Sequence, residues 1–274
     1  MNTSNLHTQN SQATHHDDLY VLREDSNQVA TLTLNRPKQF NALSSDMLGA
    51  LQDHLNDIAK DSGIQVVVIA AMGKAFCAGH NLKEMRATTD RAFYKALFDQ
   101  CSQVMLTINS MPQVVIAKVQ GIATAAGCQL VSACDLAVAS ETAKFATSGI
   151  NVGLFCSTPS VAVSRNLPRK QAFEMLITGE FIDAETALHQ GLINRVAVEG
   201  QLDIALHSLI DVIVSKSPIA VTTGKRMFYK QLDMSLPEAY NFAGEVMVDN
   251  MMTADVAEGI DAFIEKRSAT WQGR

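Results

Sequence analysis

The sequence lacks the features of fibrous, membrane-spanning or broadly cationic proteins. Only 18% of its 274 residues are charged and 6% are aromatic, with a single Trp and six Pro. It has no run of about 18 apolar residues, so we predict no transmembrane span. Lys and Arg number 22 against 28 Asp and Glu, which gives a formal net charge of −6. Without an overall positive field, a nucleic-acid partner is not expected.

The sequence also lacks paired cysteines and the features of an N-terminal targeting segment. The five cysteines are odd in number and scattered, without the short paired spacings of zinc sites: Cys77, Cys101, Cys128, Cys134 and Cys156. This pattern predicts reduced thiols, no metal and a cytoplasmic protein. Residues 1–18 contain no Lys or Arg and no apolar core, so they predict a disordered tail rather than a targeting segment.

What is present is an apolar, globular chain that begins with an α/β pattern. Hydrophobic residues make up 47% of it, and its length fits one or two domains. Residues 19–34 predict a β-hairpin, and the apolar spacing from Met47 to Ile58 behind Ser44-Ser45-Asp46 predicts a capped helix. Buried strands are predicted at 66–70, 114–119 and 135–139, with helices between them that include 91–110. Such alternation favours right-handed βαβ crossovers.

From Ser157 onward the pattern is almost entirely helical. Helices are predicted at 170–178, 183–190, 202–216, 218–232, 236–252 and 254–266. The organisation is therefore a tail at 1–18, an α/β core at 19–200 and a helical region at 201–274. We find no internal sequence repeat.

Two segments of small residues follow buried strands. They are residues 73–82 (GKAFCAGHNL) and 120–130 (QGIATAAGCQL). Each alone could be only a tight connection. On neighbouring parallel strands, however, their backbone N–H groups could converge on one oxygen, which is the geometry of an oxyanion hole.

Four motifs in order resemble the crotonase (enoyl-CoA hydratase/isomerase) superfamily. They are LNRPKQFNAL at 34–43, AFCAG at 75–79, GCQL at 127–130 followed by Cys134-Asp135, and AFIEKR at 262–267. The resemblance extends from Leu34 to Trp271. Residues 151–159 (NVGLFCSTP) and 247–250 (MVDN) indicate one branch within the superfamily.

The resemblance implies a fold, an assembly and a ligand. The fold is the ClpP/crotonase-like α/β spiral of ββα units, with a helical C-terminal region for trimerisation as a homotrimer or a hexamer made of two trimers. The ligand is an acyl-CoA thioester of fatty-acid or related metabolism, with coenzyme A as part of the substrate and no separate cofactor. By position, the backbone N–H groups of His80 and Ala126 match the pair that binds the thioester carbonyl.

Further residues are implied in binding coenzyme A. By position they are Asn41, Ala42 and Leu43, then His80, Asn81, Leu82 and Lys83, and finally Phe263 and Lys266, which match residues offered by a neighbouring subunit. From the sequence alone, Lys266 within Glu265-Lys266-Arg267 also fits a solvated helix face.

The chain departs from the hydratases of this superfamily at their two glutamates, which match Gln129 and Gly149. A Gln can hold a water but cannot exchange its proton at neutral pH, and Gly149 has no side chain. One positioned acid or base contributes about 10²–10⁴-fold in rate, so efficient hydration is not expected.

Four other residues are candidate replacements for the two glutamates. Asn151 lies two residues beyond Gly149, but an amide is not a base. Cys156 sits where a helix begins, where a lowered thiol pKa would make it a candidate nucleophile; a buried, inert cysteine is the alternative. An imidazole ordinarily titrates near neutrality, which makes the His80 side chain a candidate, although it could face away from the ligand. Glu84 fits a helix-cap or surface carboxylate better than a base.

Three functional hypotheses follow. The first is an enzyme of the enoyl-CoA hydratase/isomerase class, with weak hydration, isomerisation or decarboxylation assisted by the oxyanion hole. The second is a non-catalytic acyl-CoA binding or regulatory protein. The third is a thioester hydrolase that uses Cys156.

Overall fold

A β-hairpin opens the part of the chain that the computed structural model describes, residues 19–274. Its strands β1 (Val21–Ser26) and β2 (Val29–Leu34) pair antiparallel through Asn27-Gln28, both of which have positive φ. Alternate residues of β2 are buried, as a period of two requires. The hairpin prediction is confirmed, whereas the predicted tail at 1–18 lies outside the described residues.

A six-stranded sheet extends from this hairpin. Its strands lie in the order β1-β2-β3-β5-β7-β10, and every pair except β1-β2 is parallel. The additional strands are β3 (Val66–Ala71), β5 (Val114–Val119), β7 (Leu136–Ser140) and β10 (Arg195–Ala197). The β-branched runs that predicted β3 and β5 are largely buried because helices or loops cover both faces of the sheet.

A second sheet of very short strands lies beside the first. It has the order β4-β6-β8-β9, with β4 (Ala75–Cys77), β6 (Ile122–Thr124), β8 (Lys144–Ala146) and β9 (Ile182–Asp183). The strands β3, β5 and β7 are each followed by one of these short strands and then by helix, which is the ββα spiral. The resemblance implied these ββα units, whereas the residue pattern alone did not predict the short strands, because two or three residues carry no measurable periodicity.

Eleven α-helices occur within residues 19–274, and they confirm the predicted helical segments to within a few residues. They are α1 (Ser45–Ile58), α2 (Leu82–Ala87), α3 (Arg91–Ser110), α4 (Ala126–Ala133), α5 (Ser157–Asn166), α6 (Arg169–Thr178), α7 (Ala184–His189), α8 (Leu202–Val214), α9 (Pro218–Gln231), α10 (Leu236–Met251) and α11 (Ala254–Glu265). Helix α1 illustrates the cause: the Ser44 hydroxyl accepts from Met47 N, and the apolar face is buried.

The C-terminal helices differ in how they contact the core. Leu206 and Ile210 of α8 pack against β-branched residues of the large sheet. By contrast, α10 and α11 expose large apolar side chains, including Met247 and Phe263. Assembly into trimers through this region stays a prediction. In the described part of the chain no single helix is long and apolar enough to cross a membrane, although α8 and α9, bent by 102°, pass that test as a pair.

A buried ion pair ties α9 to the sheet. Lys225 Nζ lies 2.6 Å from Asp135 Oδ2 and also donates to the carbonyls of Ile108 and Gln113, at 2.7 Å each. Asp135 accepts further hydrogen bonds from Val115 N and from the Tyr229 hydroxyl. Burial raises the pKa of Asp135 and lowers that of Lys225, and each partner opposes the shift of the other.

Lys225→Met should lower the free energy of unfolding by about 3–5 kcal/mol, because it leaves the Asp135 carboxylate buried without its counter-ion. Urea unfolding followed by circular dichroism measures the change. The control is Lys170→Met on the exposed surface of α6, which should change stability by less than about 0.5 kcal/mol. Equal effects of the two substitutions would contradict this role for the pair.

Two glycines hold the second sheet against its neighbours. A Cβ on Gly127 of α4 would lie 2.2 Å from the Cys77 carbonyl oxygen at the end of β4. A Cβ on Gly79 would lie 2.8 Å from Ala125 Cβ and 3.2 Å from Ala126 N. Side chains at either position would therefore separate the turn after β4 from the start of α4.

Gly127→Ala should destabilise the protein by about 1–3 kcal/mol, since α4 must move away from β4 to admit the methyl group. Thermal or urea unfolding measures the loss. Gly224→Ala is a matched control: this glycine lies inside α9 and has open space around its Cβ position. That control should stabilise the helix by about 0.5–1 kcal/mol. A stable Gly127→Ala protein would show that the close contact is not required.

Candidate functional site

The site is built where β4 and β6 end. After β4 the chain passes through Gly79, with φ of 89°, to His80, which forms a parallel bridge with Leu43. In that bridge Leu43 N donates to Gly79 O and Asn81 N donates to Leu43 O. These bonds fix the backbone on both sides of His80 and leave its own N–H outside the bridge.

The second turn carries backbone strain. Ala125, between β6 and α4, has φ of 51° and ψ of −121°, a conformation that residues with a Cβ rarely adopt. Its N–H donates to Ala146 O, and its carbonyl accepts from Gln129 N. Strain of this kind persists where surrounding contacts enforce it, and it is common at functional sites. Ala125 is the N-cap of α4, so Ala126 is the first helical residue and its N–H has no acceptor within the helix.

These two turns bring two unused N–H groups together. In residues 19–274, neither His80 N nor Ala126 N donates a hydrogen bond to another protein group. They are neighbours, because Gly79 packs against Ala125 and Ala126 N. Two adjacent backbone donors, one of them at the positive end of a helix, can bind a single carbonyl or anionic oxygen.

Hydrogen bonds from the side chains of Asn41 and Thr124 support the turns. Asn41 is fully buried; its Oδ1 accepts from Arg36 N, and its Nδ2 donates to the carbonyls of Met72 and Ala75 at 2.9 Å each. The Thr124 hydroxyl lies 2.7 Å from that of Ser148 and joins β6 to the segment after β8. Both contacts fix loops that border the two donors.

The residues predicted to line a coenzyme A path differ in how exposed their side chains are. The side chains of Asn41 and Leu43 are buried, so any contact of these two residues with coenzyme A would involve their backbone, and their place on the path stays a prediction. Asn81 caps α2 by accepting from Lys83 N and Glu84 N. The accessible side chains are those of Ala42, Leu82 and Lys83, with Phe263 exposed on α11 and Lys266 exposed at its C-cap.

Gln129 lies within the first turn of α4 and is buried. Its Oε1 lies 4.0 Å from the Cys101 thiol of α3, and the side chain is only 4% exposed. An amide here can accept or donate hydrogen bonds but cannot transfer a proton. Burial raises the pKa of the Cys101 thiol to about 12, so that neighbour is not a base at neutral pH.

Gly149 begins a tight turn that ends at Leu154. Leu154 N donates to Gly149 O, and a Cβ on Gly149 would lie 2.7 Å from Leu154 O and 2.8 Å from Cys156 Sγ. The space beside the backbone is therefore occupied by the chain's own atoms. No side chain fits here without movement of the segment from 149 to 156.

Cys156 precedes α5 as expected, but its pKa shifts in the opposite direction to the prediction. Burial raises the pKa of the thiol, and this effect exceeds the stabilisation of the thiolate by the Gly149 backbone. At 6% exposure Cys156 has the environment of a buried, inert cysteine. The Asn151 amide donates to Gly179 O at the end of α6, so it is committed to a structural contact.

The His80 side chain is enclosed between Leu43 and α3. Its Nδ1 lies 3.3 Å from Leu43 O, and its ring meets that of Phe98 edge to face with centroids 5.3 Å apart. Burial lowers the pKa of the imidazole. Phe98 and Cys101, one helical turn apart on α3, were not predicted as site residues, because nothing in their spacing separates them from ordinary core positions.

Glu84 has a structural partner, as its helix-cap interpretation suggested. Its carboxylate accepts a 2.6 Å hydrogen bond from the Ser45 hydroxyl and weaker ones from Ser45 N. This contact joins α2 to the start of α1. Among the described residues, no group of three or more His, Cys, Asp or Glu side chains is arranged to hold a metal ion.

Comparison with known proteins places this geometry in a family. Residues 24–274 match the family described as Enoyl-CoA hydratase/isomerase. A relative from Rattus norvegicus, enoyl-CoA hydratase domain-containing protein 3, mitochondrial, is 46% identical over 243 residues, which are 89% of this chain and 81% of the relative. Residues 151–159 and 247–250 indicated this branch, and the identity confirms the resemblance.

Solved structures show the same fold. A structure of enoyl-CoA hydratase from Mycobacterium smegmatis superposes with a TM-score of 0.91 at 54% identity, covering 92% of this chain and 98% of that one. Human enoyl-CoA hydratase domain-containing protein 3 superposes with a TM-score of 0.90 at 44% identity, covering 92% and 100%. The predicted crotonase-like fold is confirmed.

The expected cytoplasmic location is wrong. The relatives from rat, frog, mouse and human all carry the word mitochondrial in their names. The prediction rested on unpaired cysteines and on the composition of residues 1–18. Reduced thiols indicate a reducing environment but do not distinguish one such compartment from another.

The family match spans nearly all of the described chain, and several relatives exceed 40% identity over most of it. The order of strands, the two turns and the helical C-terminal region agree with that match. The chain belongs to the enoyl-CoA hydratase/isomerase family.

Proposed function

We propose that this protein binds acyl-CoA thioesters and polarises the thioester carbonyl with the N–H groups of His80 and Ala126. The observation that carries the proposal is the adjacency of these two donors, neither of which has a protein acceptor in residues 19–274. A thioester carbonyl gains negative charge when an enolate forms, and donors already in place stabilise that charge. Each donor of an oxyanion hole contributes about 3–4 kcal/mol in other enzymes.

The same site should hydrate enoyl thioesters poorly. Hydration requires groups that hold a water and move its protons, and the two family positions are occupied by Gln129 and Gly149. The first is an amide, and the second is blocked by Leu154 O and Cys156 Sγ. Chemistry that depends mainly on enolate stabilisation, such as isomerisation or decarboxylation, fits the remaining groups better.

The absence of the two carboxylates supports a purely binding role as well as it supports weak catalysis. A measurement of turnover distinguishes the two functions. Thioester hydrolysis by Cys156 has less support, because burial raises its pKa and keeps the thiol protonated at neutral pH. Phe263 and Lys266 on α11 are exposed and remain our candidates for contact with coenzyme A across a subunit interface.

Crotonyl-CoA should bind the protein measurably in calorimetry, while its hydration should be at least about 10²-fold slower than a family member with both glutamates achieves. Loss of the ultraviolet absorbance of the conjugated enoyl thioester follows hydration. A natural hydratase of the family, assayed in parallel, is the control. No binding at millimolar crotonyl-CoA would overturn the proposal, and hydration at the control's rate would overturn the argument from the missing carboxylates.

Restoring both carboxylates should not restore hydration. In Gln129→Glu/Gly149→Glu, the side chain at position 149 meets Leu154 O and Cys156 Sγ, so we expect a loss of about 1–3 kcal/mol in stability and little gain in rate. Gln129→Glu alone is the matched control for the first position. Adding Cys156→Ala removes one of the two contacts and should recover part of the stability. Hydratase-level turnover by the double variant would contradict the blocked geometry.

A further inference from the structure

The imidazole of His80 contains a buried polar atom without a partner. Nε2 is inaccessible to solvent and has no hydrogen-bond partner within residues 19–274. The other ring nitrogen, Nδ1, lies 3.3 Å from Leu43 O, which can only accept. A neutral ring therefore carries its proton on Nδ1, and Nε2 presents a lone pair. Buried groups left in this state are uncommon and call for an explanation.

The His80 ring and Gln129 both contact residues of α3. Phe98 of α3 contacts the imidazole, and Cys101, three residues further along α3, contacts Gln129 Oε1. Residues three apart lie on one face of a helix, so this face of α3 borders both His80 and Gln129. The imidazole and Gln129, the position at which hydratases of the family carry a glutamate, therefore border the same face of α3.

The surroundings keep the imidazole neutral. Burial lowers its pKa, an effect partly offset by the hydrogen bond to Leu43 O and by the negative charge of Glu84 on α2. From α3 the ring contacts Phe98, and Cys101, one helical turn further along, contacts Gln129 of α4. A neutral imidazole near neutral pH is a competent proton acceptor.

We propose that His80 performs the proton transfer for which the two glutamates are missing, an inference that rests on the proposed function. Nε2 takes a proton from Cα of the bound acyl thioester, and the C–H electron pair forms the double bond to the carbonyl carbon. The carbonyl oxygen becomes the enolate oxygen, held by the N–H groups of His80 and Ala126. The imidazolium then returns a proton to Cα or, in a 3-enoyl thioester, to Cγ, which moves the double bond.

One movement is required for this step. Because Nε2 is sealed and Phe98 lies against the ring, the acyl chain must displace the Phe98 side chain as it enters beside α3. Phe98 is only partly buried, which leaves it room to turn toward solvent. Catalytic contacts commonly form only when the ligand is bound.

The test is exchange of the Cα protons of butanoyl-CoA with solvent in D₂O, followed by NMR. The wild-type protein should catalyse exchange, and His80→Gln, which keeps the backbone N–H, should lose at least about 10²-fold in rate. The wild-type rate should fall as pH decreases through the lowered pKa of His80, because protonation removes the lone pair. A purely structural role would not give that profile.

His207→Gln is the matched control. His207 also has Nδ1 near a backbone carbonyl, 2.7 Å from Asp203 O, but it is exposed on α8 and its substitution should leave exchange unchanged. Calorimetry with butanoyl-CoA separates the two proposals. Binding without wild-type exchange, or exchange by His80→Gln at the wild-type rate, overturns the role of His80 alone. Absence of binding by the wild type overturns the proposed function as well.

Discussion

The structure depends on the close approach of two backbone segments that only glycine permits. Gly127 lets α4 rest on the Cys77 carbonyl, and Gly79 lets the turn after β4 touch Ala125 and Ala126. A third glycine, Gly121, approaches Lys74 O so closely that a Cβ would lie 2.0 Å from it. These contacts hold the short sheet in register beside the long one, and they bring together two N–H groups from turns 46 residues apart in sequence.

The chemistry of the site follows from this close backbone contact and from the absence of the two family glutamates. Ala126, which follows the strained Ala125, is the first residue of α4, so its N–H has no acceptor within the helix and is open to a ligand oxygen. The position of the second family glutamate is closed by Leu154 and Cys156, and the first is an amide. The difference is therefore more than a pair of substitutions, since the Leu154 carbonyl oxygen and the Cys156 sulfur leave no room for a Cβ at position 149.

Much of the fold could be predicted from the sequence, because its signals are local. The β-branched runs gave β3 and β5, the spacing of apolar residues gave α1, and the small residues at 73–82 and 120–130 marked the two turns. The three-residue strands could not be predicted, since their pairing is set by neighbours far apart in the chain. The hydrogen bonds of Asn41 could not be predicted either: its motif is visible in the sequence, but its bonds to Arg36 N and to the carbonyls of Met72 and Ala75 are not.

Polarisation of a bound thioester is the central claim, and infrared difference spectroscopy measures it directly. An acyl-CoA carrying ¹³C at the thioester carbonyl reports the stretching frequency of that bond alone. If His80 and Ala126 donate to the oxygen, binding should lower the frequency below its value for the free thioester in water. Binding that leaves the frequency unchanged, or raises it, would contradict the oxyanion role of these two N–H groups.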